Sequence, residues 1–545
     1  MSQPLFSRTV LAPLFMVSLL SGCGGGSGNG SVSETAIEGS AFAAAVSGAS
    51  CTVVDEVGAT VAGPVLTSAS GSYRVVVDDQ EISQSLRLLC EGGSYVDEAT
   101  GESVSAGRLS LYLMAGSLRQ GGTTAGHVTP GSTIIHDLVV HHDKTVADAQ
   151  TLFSAAFGYL PDSAVAPTDA TSPAAGASDS ERLAGLRAAT FSQLTTDLGL
   201  SSARQFDLLV ALAQDLADGQ FDGAGGGSAI MVANSAVTLP QDMQHRYSRA
   251  LINFRNGNDS SGLGNDQIGT VPFATVVVGD SYRVEYLAGT MAAMEGQSKF
   301  QLRVTDAATG TQPQTGLALS LMPMMYMAQM SHSSPVDGCS ESASPGTYDC
   351  TLFYLMPSSM NGMSMGYWDL KVTIAGTVDE VVHFYPEVMM AMGDTPRARL
   401  KGVNDTLADM SGNAAARDYL LFKSALTGVD GNHSFKLFIA AKESMMSFPP
   451  ITSSTVLNSG SMSSELTISS VSVQLSSDTI TWVDATELGN GYWLASAISG
   501  LSNGVQGQLY VKLSVNGEQK STDGQIPAGD GTNDYATFTI TPASM

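Results

Sequence analysis

Charge, and above all positive charge, is what this sequence has least of. Only 14% of its 545 residues are charged, and 25 basic residues stand against 51 acidic ones, for a formal net charge of -26. A soluble chain usually carries about 25% charged residues, so Ser, Thr, Gly, Asn and Gln must cover most of this surface, as on secreted β-rich proteins. There is no run of Lys and Arg to neutralise phosphates, which argues against nucleic acid and anionic lipid headgroups as partners. Long apolar runs are missing too. After residue 22 no stretch reaches the ~20 apolar residues a membrane helix needs. The chain has no CxxC, no HExxH and no P-loop, so thioredoxin chemistry, c-type haem, zinc ribbons, zincins and nucleotide binding all lack their signatures. One GxSxG occurs, Gly362 to Gly366 around Ser364. A polar loop precedes it and an expected strand follows, whereas a nucleophile elbow needs a strand before and a helix after. No enzyme is expected.

What is there begins at the start of the chain. Arg8 gives a basic n-region, Val10 to Leu20 an apolar stretch too short to span a bilayer, and Leu20-Ser21-Gly22 puts small residues before Cys23. This resembles the lipobox of bacterial lipoproteins. The resemblance implies a signal peptide over 1–22, cleavage before Cys23, and acylation of Cys23 to anchor the chain to a membrane. Gly rather than Asp after the cysteine implies the outer membrane, on its periplasmic or cell-surface side. The Gly-rich residues 23–35 read as a flexible tether.

Four cysteines remain, in two sequence-local pairs. In an oxidising compartment these predict disulfides Cys51 to Cys90 and Cys339 to Cys350. Residues 36–130 alternate apolar and polar positions in short runs, at the spacing of a small β-sandwich. The pattern GASCTVVDEVGATV followed by SGSYRVVV resembles the carboxypeptidase regulatory-like and transthyretin-like β-domains. Over 131–222 the apolar period becomes helical, with a loop from Pro161 to Ser178 and an Asp-rich end, DLADGQFDG, read as helix capping and turns. The dense group His136, Asp137, His141, His142 and Asp143 reads as a solvated helix face. A linker is expected over 223–269, then β-rich regions over 270–396 and 397–545, whose turn signals every ten or so residues argue for two immunoglobulin-like sandwiches. The expected class is therefore a mainly β, multidomain protein: a small β-sandwich, a helical module, then two immunoglobulin-like β-sandwiches.

Composition is most abnormal in the first of those two β-rich regions. Of 24 methionines, 12 fall between Met322 and Met392. Met322 and Met324 should share one face of a strand, Met325 and Met327 the other, and Met330 follows. Met356, Met360, Met363 and Met365 lie in or near a Ser- and Gly-rich loop, and Met389, Met390 and Met392 come later. Thioether sulfur is soft and polarisable, and soft ligands select Cu(I). Where cysteines are locked in disulfides, methionine is the soft ligand that remains. The expected copper site therefore draws on Met322, Met324, Met325, Met327, Met330, Met356, Met360, Met363 and Met365, with His332 in support and His383 as a further candidate.

Here the sequence is similar to a family. Met322, Pro323 and Met324 in an MPxM-like order, then His332 and Pro335, Gly346 and Tyr348, and Gly366, Trp368, Leu370 and Val372 resemble the YtkA-like and FixH-like immunoglobulin-type domains of exported proteins. The resemblance spans about 100 of the 545 residues and implies copper handling. The chain departs from the pattern by adding Cys339 and Cys350, by a longer gap before the histidine, and by its extra methionines. The alternative is an adhesion or interaction lipoprotein whose methionine face docks a protein partner, since thioethers repack around many shapes.

Overall fold

The computed structural model describes residues 34–289, 293–408, 413–460 and 464–543. Cys23 and the tether up to residue 33 lie outside the described residues. The protein is mainly β, with 41% strand and 15% helix, and its larger sheets face one another as sandwiches.

The first sandwich sets the sheet Thr60–Leu66, Ser50–Val54, Leu86–Glu91, Arg108–Leu113 against the sheet Ser72–Asp78, Glu34–Ser40, Thr123–Ala125. Cys51 and Cys90 are directly opposed across neighbouring strands and form a disulfide. Helices follow: α1 (Pro130–His141), α2 (Val146–Phe157), α3 (Asp179–Asp197), α4 (Gln205–Leu216) and α5 (Met243–Gly257). Local chemistry starts three of them. Thr129 and Ser132 form a capping box at α1, Thr145 caps α2, and Ser178 with Glu181 boxes α3. One continuous apolar core runs from Ile37, Val53 and Leu88 of the sandwich to Phe153, Phe191, Leu212 and Tyr247 of the helices.

Two expectations change here. The stretch 223–269, read as a linker, contains α5, and Ile230, Val232, Leu239 and Met243 are buried in that same core. The His and Asp group on α1 is only in part a solvated face: His141 and Asp143 are exposed, whereas His136 and Asp137 are buried, with His136 Nδ1 2.9 Å from the Asp137 carboxylate. The sandwich and α4 pack on α1, which periodicity within the helix could not foretell.

The Asp-rich end of α4 does make turns. Gly219 and Gly223 take positive φ, and the buried Asp215 carboxylate accepts the Gly223 and Asp222 N–H groups at 3.0 and 3.2 Å. Burial outweighs these bonds and pushes Asp215 up to about 7. Its folded pKa thus exceeds its unfolded one, so its contribution to stability is full below pH ~4 and is lost as pH rises through ~7. We expect Asp215→Asn to remove a pH-dependent contribution of about 4 kcal/mol. Melting curves at pH ~5 and ~7.5 should show the wild type losing stability relative to the variant as pH rises; parallel profiles would refute this.

The second sandwich pairs a sheet of Val276–Val278, Tyr282–Ala288, Gly296–Asp306, Thr347–Tyr354 and Val336–Glu341 with one of Ser331–Ser333, Leu319–Tyr326, Tyr367–Ile374 and Glu380–Phe384. Cys339 and Cys350 are again directly opposed and bonded. The third sandwich is built on Arg397–Ala408, Ala414–Val429 and Asn432–Lys442, with Gly507–Val515 central to the facing sheet. Residues 479–483, rich in the β-branched and aromatic types that favour strands, are mostly a turn. The Asp478 carboxylate accepts the Ile480 and Thr481 N–H groups at 2.8 and 2.7 Å, and Thr479 takes a φ of 65°. Side-chain bonding to nearby backbone outcompetes the strand ladder there.

Candidate metal centre

Strand register decides which methionines can meet. On Leu319–Tyr326, Leu321 and Met325 point into the sandwich core, while Met322 and Met324 lie on the outer face. Met325 pairs with His332 on one side and Trp368 on the other. Directly opposed residues share a face, so the three form a row pointing inward. A glycine permits the close approach at the end of this row. Gly366, with a φ of 124°, sits where a Cβ would come within 2.0 Å of the Tyr326 carbonyl oxygen.

Met356 joins the row from another direction. It lies just beyond Thr347–Tyr354, and the Trp368 indole N–H donates to its carbonyl oxygen at 3.1 Å. Its sulfur stands 3.3 Å from His332 Nε2. His332 Nδ1 is 2.8 Å from the Ser333 carbonyl oxygen. A carbonyl only accepts, so Nδ1 carries the proton, and in the neutral ring Nε2 presents its lone pair to the sulfur. Burial, with Lys442 and Arg397 adding to it, holds this imidazole below its ordinary pKa against the opposing effect of the Ser333 bond. The Trp368 ring meets the imidazole edge-on, with centroids 5.6 Å apart. Met327 and Met365 are half-buried against the same core. A nitrogen and a sulfur lone pair therefore face one another with no proton between them, an arrangement suited to a soft cation.

No family model matches the chain. No curated protein matches it either. Among solved structures, two forms of an endo-fucoidan hydrolase from glycoside hydrolase family 107 align at 10% and 11% identity, each with a TM-score of 0.13. Each alignment covers 58% of this chain and 51% of the hydrolase, so the chain spans about half of that protein's length. A likeness at this level carries no argument.

The other expected ligands are dispersed. Met324 is buried on the outer face, and Met322 and Met330 are exposed. Met360 and Met363 oppose each other on a small hairpin, both exposed, with Ser364 on the same hairpin and a strand rather than a helix after it. Met389, Met390 and Met392 are exposed as well. His383 is turned to Asp369, its Nδ1 2.8 Å from the carboxylate. Among the described residues no group of three or more His, Cys, Asp and Glu side chains is placed to hold a metal. Two contributors lie outside the expected ligand set. Trp368 anchors the Met356 backbone, and the third sandwich reaches the site where the Ser333 N–H donates to the Met445 carbonyl oxygen at 2.7 Å. The Met445-Met446 pair is the available signal, but it lies far along the chain from the main methionine cluster.

Proposed function

We propose that this chain binds copper, as Cu(I), through Met356 and His332, with Met325, Met327 and Met365 of the same core as further thioether candidates. In this reading it is an exported lipoprotein, anchored to the outer membrane through acylated Cys23, that stores, acquires or delivers the metal. The supporting observation is the 3.3 Å approach of the Met356 sulfur to His332 Nε2, with Nδ1 already committed to the Ser333 carbonyl. Soft thioether and imidazole ligands suit Cu(I), and the four cysteines that could compete are held in disulfides. A second reading draws on Met322, Met330, Met360 and Met363, whose exposure suits an adaptable apolar face for a protein partner.

An anaerobic Cu(I) titration of the whole chain against a chromophoric chelator separates the two. Met356→Leu conserves volume, so the fold should persist, while Cu(I) affinity should fall at least ~10-fold, about 1.4 kcal/mol. No uptake by the wild type, or undiminished uptake by the folded variant, would sink the proposal. The partner reading instead expects leucine to be tolerated at every exposed methionine.

A further inference from the structure

Apart from the pair at His332, the fold gathers a second set of thioethers, all of them in water. Ser359–Met360 and Met363–Ser364 form a hairpin closed by Asn361-Gly362, whose φ values of 52° and 78° suit a two-residue turn. The register sets Met360 opposite Met363, and directly opposed residues share a face, so both thioethers project to the same side. Hydrogen bonds then bring a second stretch alongside. The Ser358 N–H donates to the Val388 carbonyl oxygen at 2.8 Å, and the Val388 N–H donates to the Ser358 hydroxyl at 2.9 Å. Met389, Met390 and Met392 therefore follow beside the foot of the hairpin. Met389 is held from elsewhere too: its N–H donates to the Ala293 carbonyl oxygen, and its own carbonyl accepts the Glu295 N–H, both at 2.9 Å. Five methionines from two stretches are thus presented together, from 39% exposed at Met360 to 81% at Met392.

Exposure decides what oxidation does to each sulfur. Oxidation turns a thioether into a polar sulfoxide, which water solvates at an exposed position without cost to the fold. At Met243 or Met325, both fully buried, the same change would set a polar group among apolar neighbours with no hydrogen-bond partner. The four described cysteines do not compete for oxidant, because all are held in disulfides. The net charge of -26 repels anionic oxidants such as hypochlorite but not their uncharged acids. One face of the molecule can therefore consume a neutral oxidant while the cores stay intact.

We propose that Met360, Met363, Met389, Met390 and Met392 form a sacrificial site that consumes hypochlorous acid and shields the buried methionines. A sulfur lone pair attacks the chlorine, the O–Cl bond breaks, and the released hydroxide displaces chloride from sulfur and loses its proton. The thioether is oxidised to the sulfoxide and the chlorine is reduced to chloride, one oxidant per sulfur. Copper plays no part in it. Stepwise addition of hypochlorous acid to the whole chain, with the added oxygen mapped by peptide mass spectrometry, tests it. At the first few equivalents the five should carry at least ~10-fold more sulfoxide than Met243, Met324 and Met325, with the melting temperature unchanged. A variant with Met360→Leu, Met363→Leu, Met389→Leu, Met390→Leu and Met392→Leu loses five of the ten exposed methionines among the described residues. It should form sulfoxide at Met325, and lose its melting transition, at a dose ~2-fold lower than the wild type. Sulfoxide spread evenly over exposed and buried methionines, a fall in melting temperature with the first equivalents, or a variant core as well shielded as the wild type's would overturn the proposal. The wild-type map decides the matter even where the variant fails to fold.

Discussion

Replacing Arg417 with methionine is expected to lower the stability of the third sandwich by about 3–5 kcal/mol. The Arg417 side chain is 1% exposed and sits at the centre of a buried charge network. It meets Asp405 at 2.9 Å and Glu443 at 3.0 Å, and its Nη2 donates to the Ser464 carbonyl oxygen at 2.7 Å. Lys520 approaches the other Asp405 oxygen at 3.2 Å and Glu518 at 2.8 Å, and the Tyr419 hydroxyl donates to Asp405. Burial already pushes Glu443 up to about 7, which the Arg417 charge opposes. Without Arg417, Glu443 must be protonated or buried as an uncompensated charge. Urea unfolding followed by fluorescence reads this out, because Trp482 and Trp493 both lie in this sandwich. The double variant Arg417→Met with Glu443→Leu should recover part of the loss, since replacing a buried pair by apolar groups is often neutral. A single variant as stable as the wild type would show that the network contributes nothing.

Phe353→Ala should have a comparable effect, about 3–5 kcal/mol, at the junction of the second and third sandwiches. Phe353 lies on Thr347–Tyr354 and is fully buried, yet it belongs to a cluster with Leu420, Phe422, Phe438 and Phe448 of the other sandwich. Its ring stacks on Phe438 with centroids 4.1 Å apart and packs against Phe422 at 5.0 Å. Stacked aromatic pairs add roughly 0.5–1.5 kcal/mol beyond the area they bury. Polar ties flank the cluster. The Tyr492 hydroxyl donates to Asp337 at 2.8 Å, and the Ser333 N–H donates to the Met445 carbonyl beside His332. The truncation removes contacts that join two cores, so the two sandwiches should unfold in separate steps where the wild type unfolds in one. Trp368 reports the second sandwich and Trp493 the third. A single coincident transition in Phe353→Ala would refute the coupling.

Much of the fold is legible because alternation survives wherever a strand has one wet face. Tyr282–Ala288 and Tyr367–Ile374 are strands whose sequences carry that alternation. Ser331–Ser333 and Val336–Glu341 do not, since edge strands rich in Ser and Gly carry little apolar signal. Arg397–Ala408 is hidden for a related reason: apart from Leu400 and Gly402 its residues are half-buried or exposed. The helical run of α5 is masked between Gly-rich stretches because its mean composition is polar, although Tyr247, Leu251 and Phe254 form a buried stripe. At the candidate site, the residue types are visible and their arrangement is not. His332 and Met356 are 24 positions apart, and nothing in their spacing says that an indole will hold one opposite the other.

The sequence by itself determined the mainly β class, both disulfide pairings, the helical character of 131–222 and the concentration of soft donors in one region. These follow from local chemistry: apolar periodicity, and cysteines close enough along the chain to pair. Tertiary structure alone decided that Met325 faces the core while Met322 faces outward beside it, that Met356 meets His332, and that Arg417 lies buried between Asp405 and Glu443. Each of those depends on which strand or helix lies alongside. Lone pairs and charges act over a few ångströms, and chain segments remote in sequence set those distances.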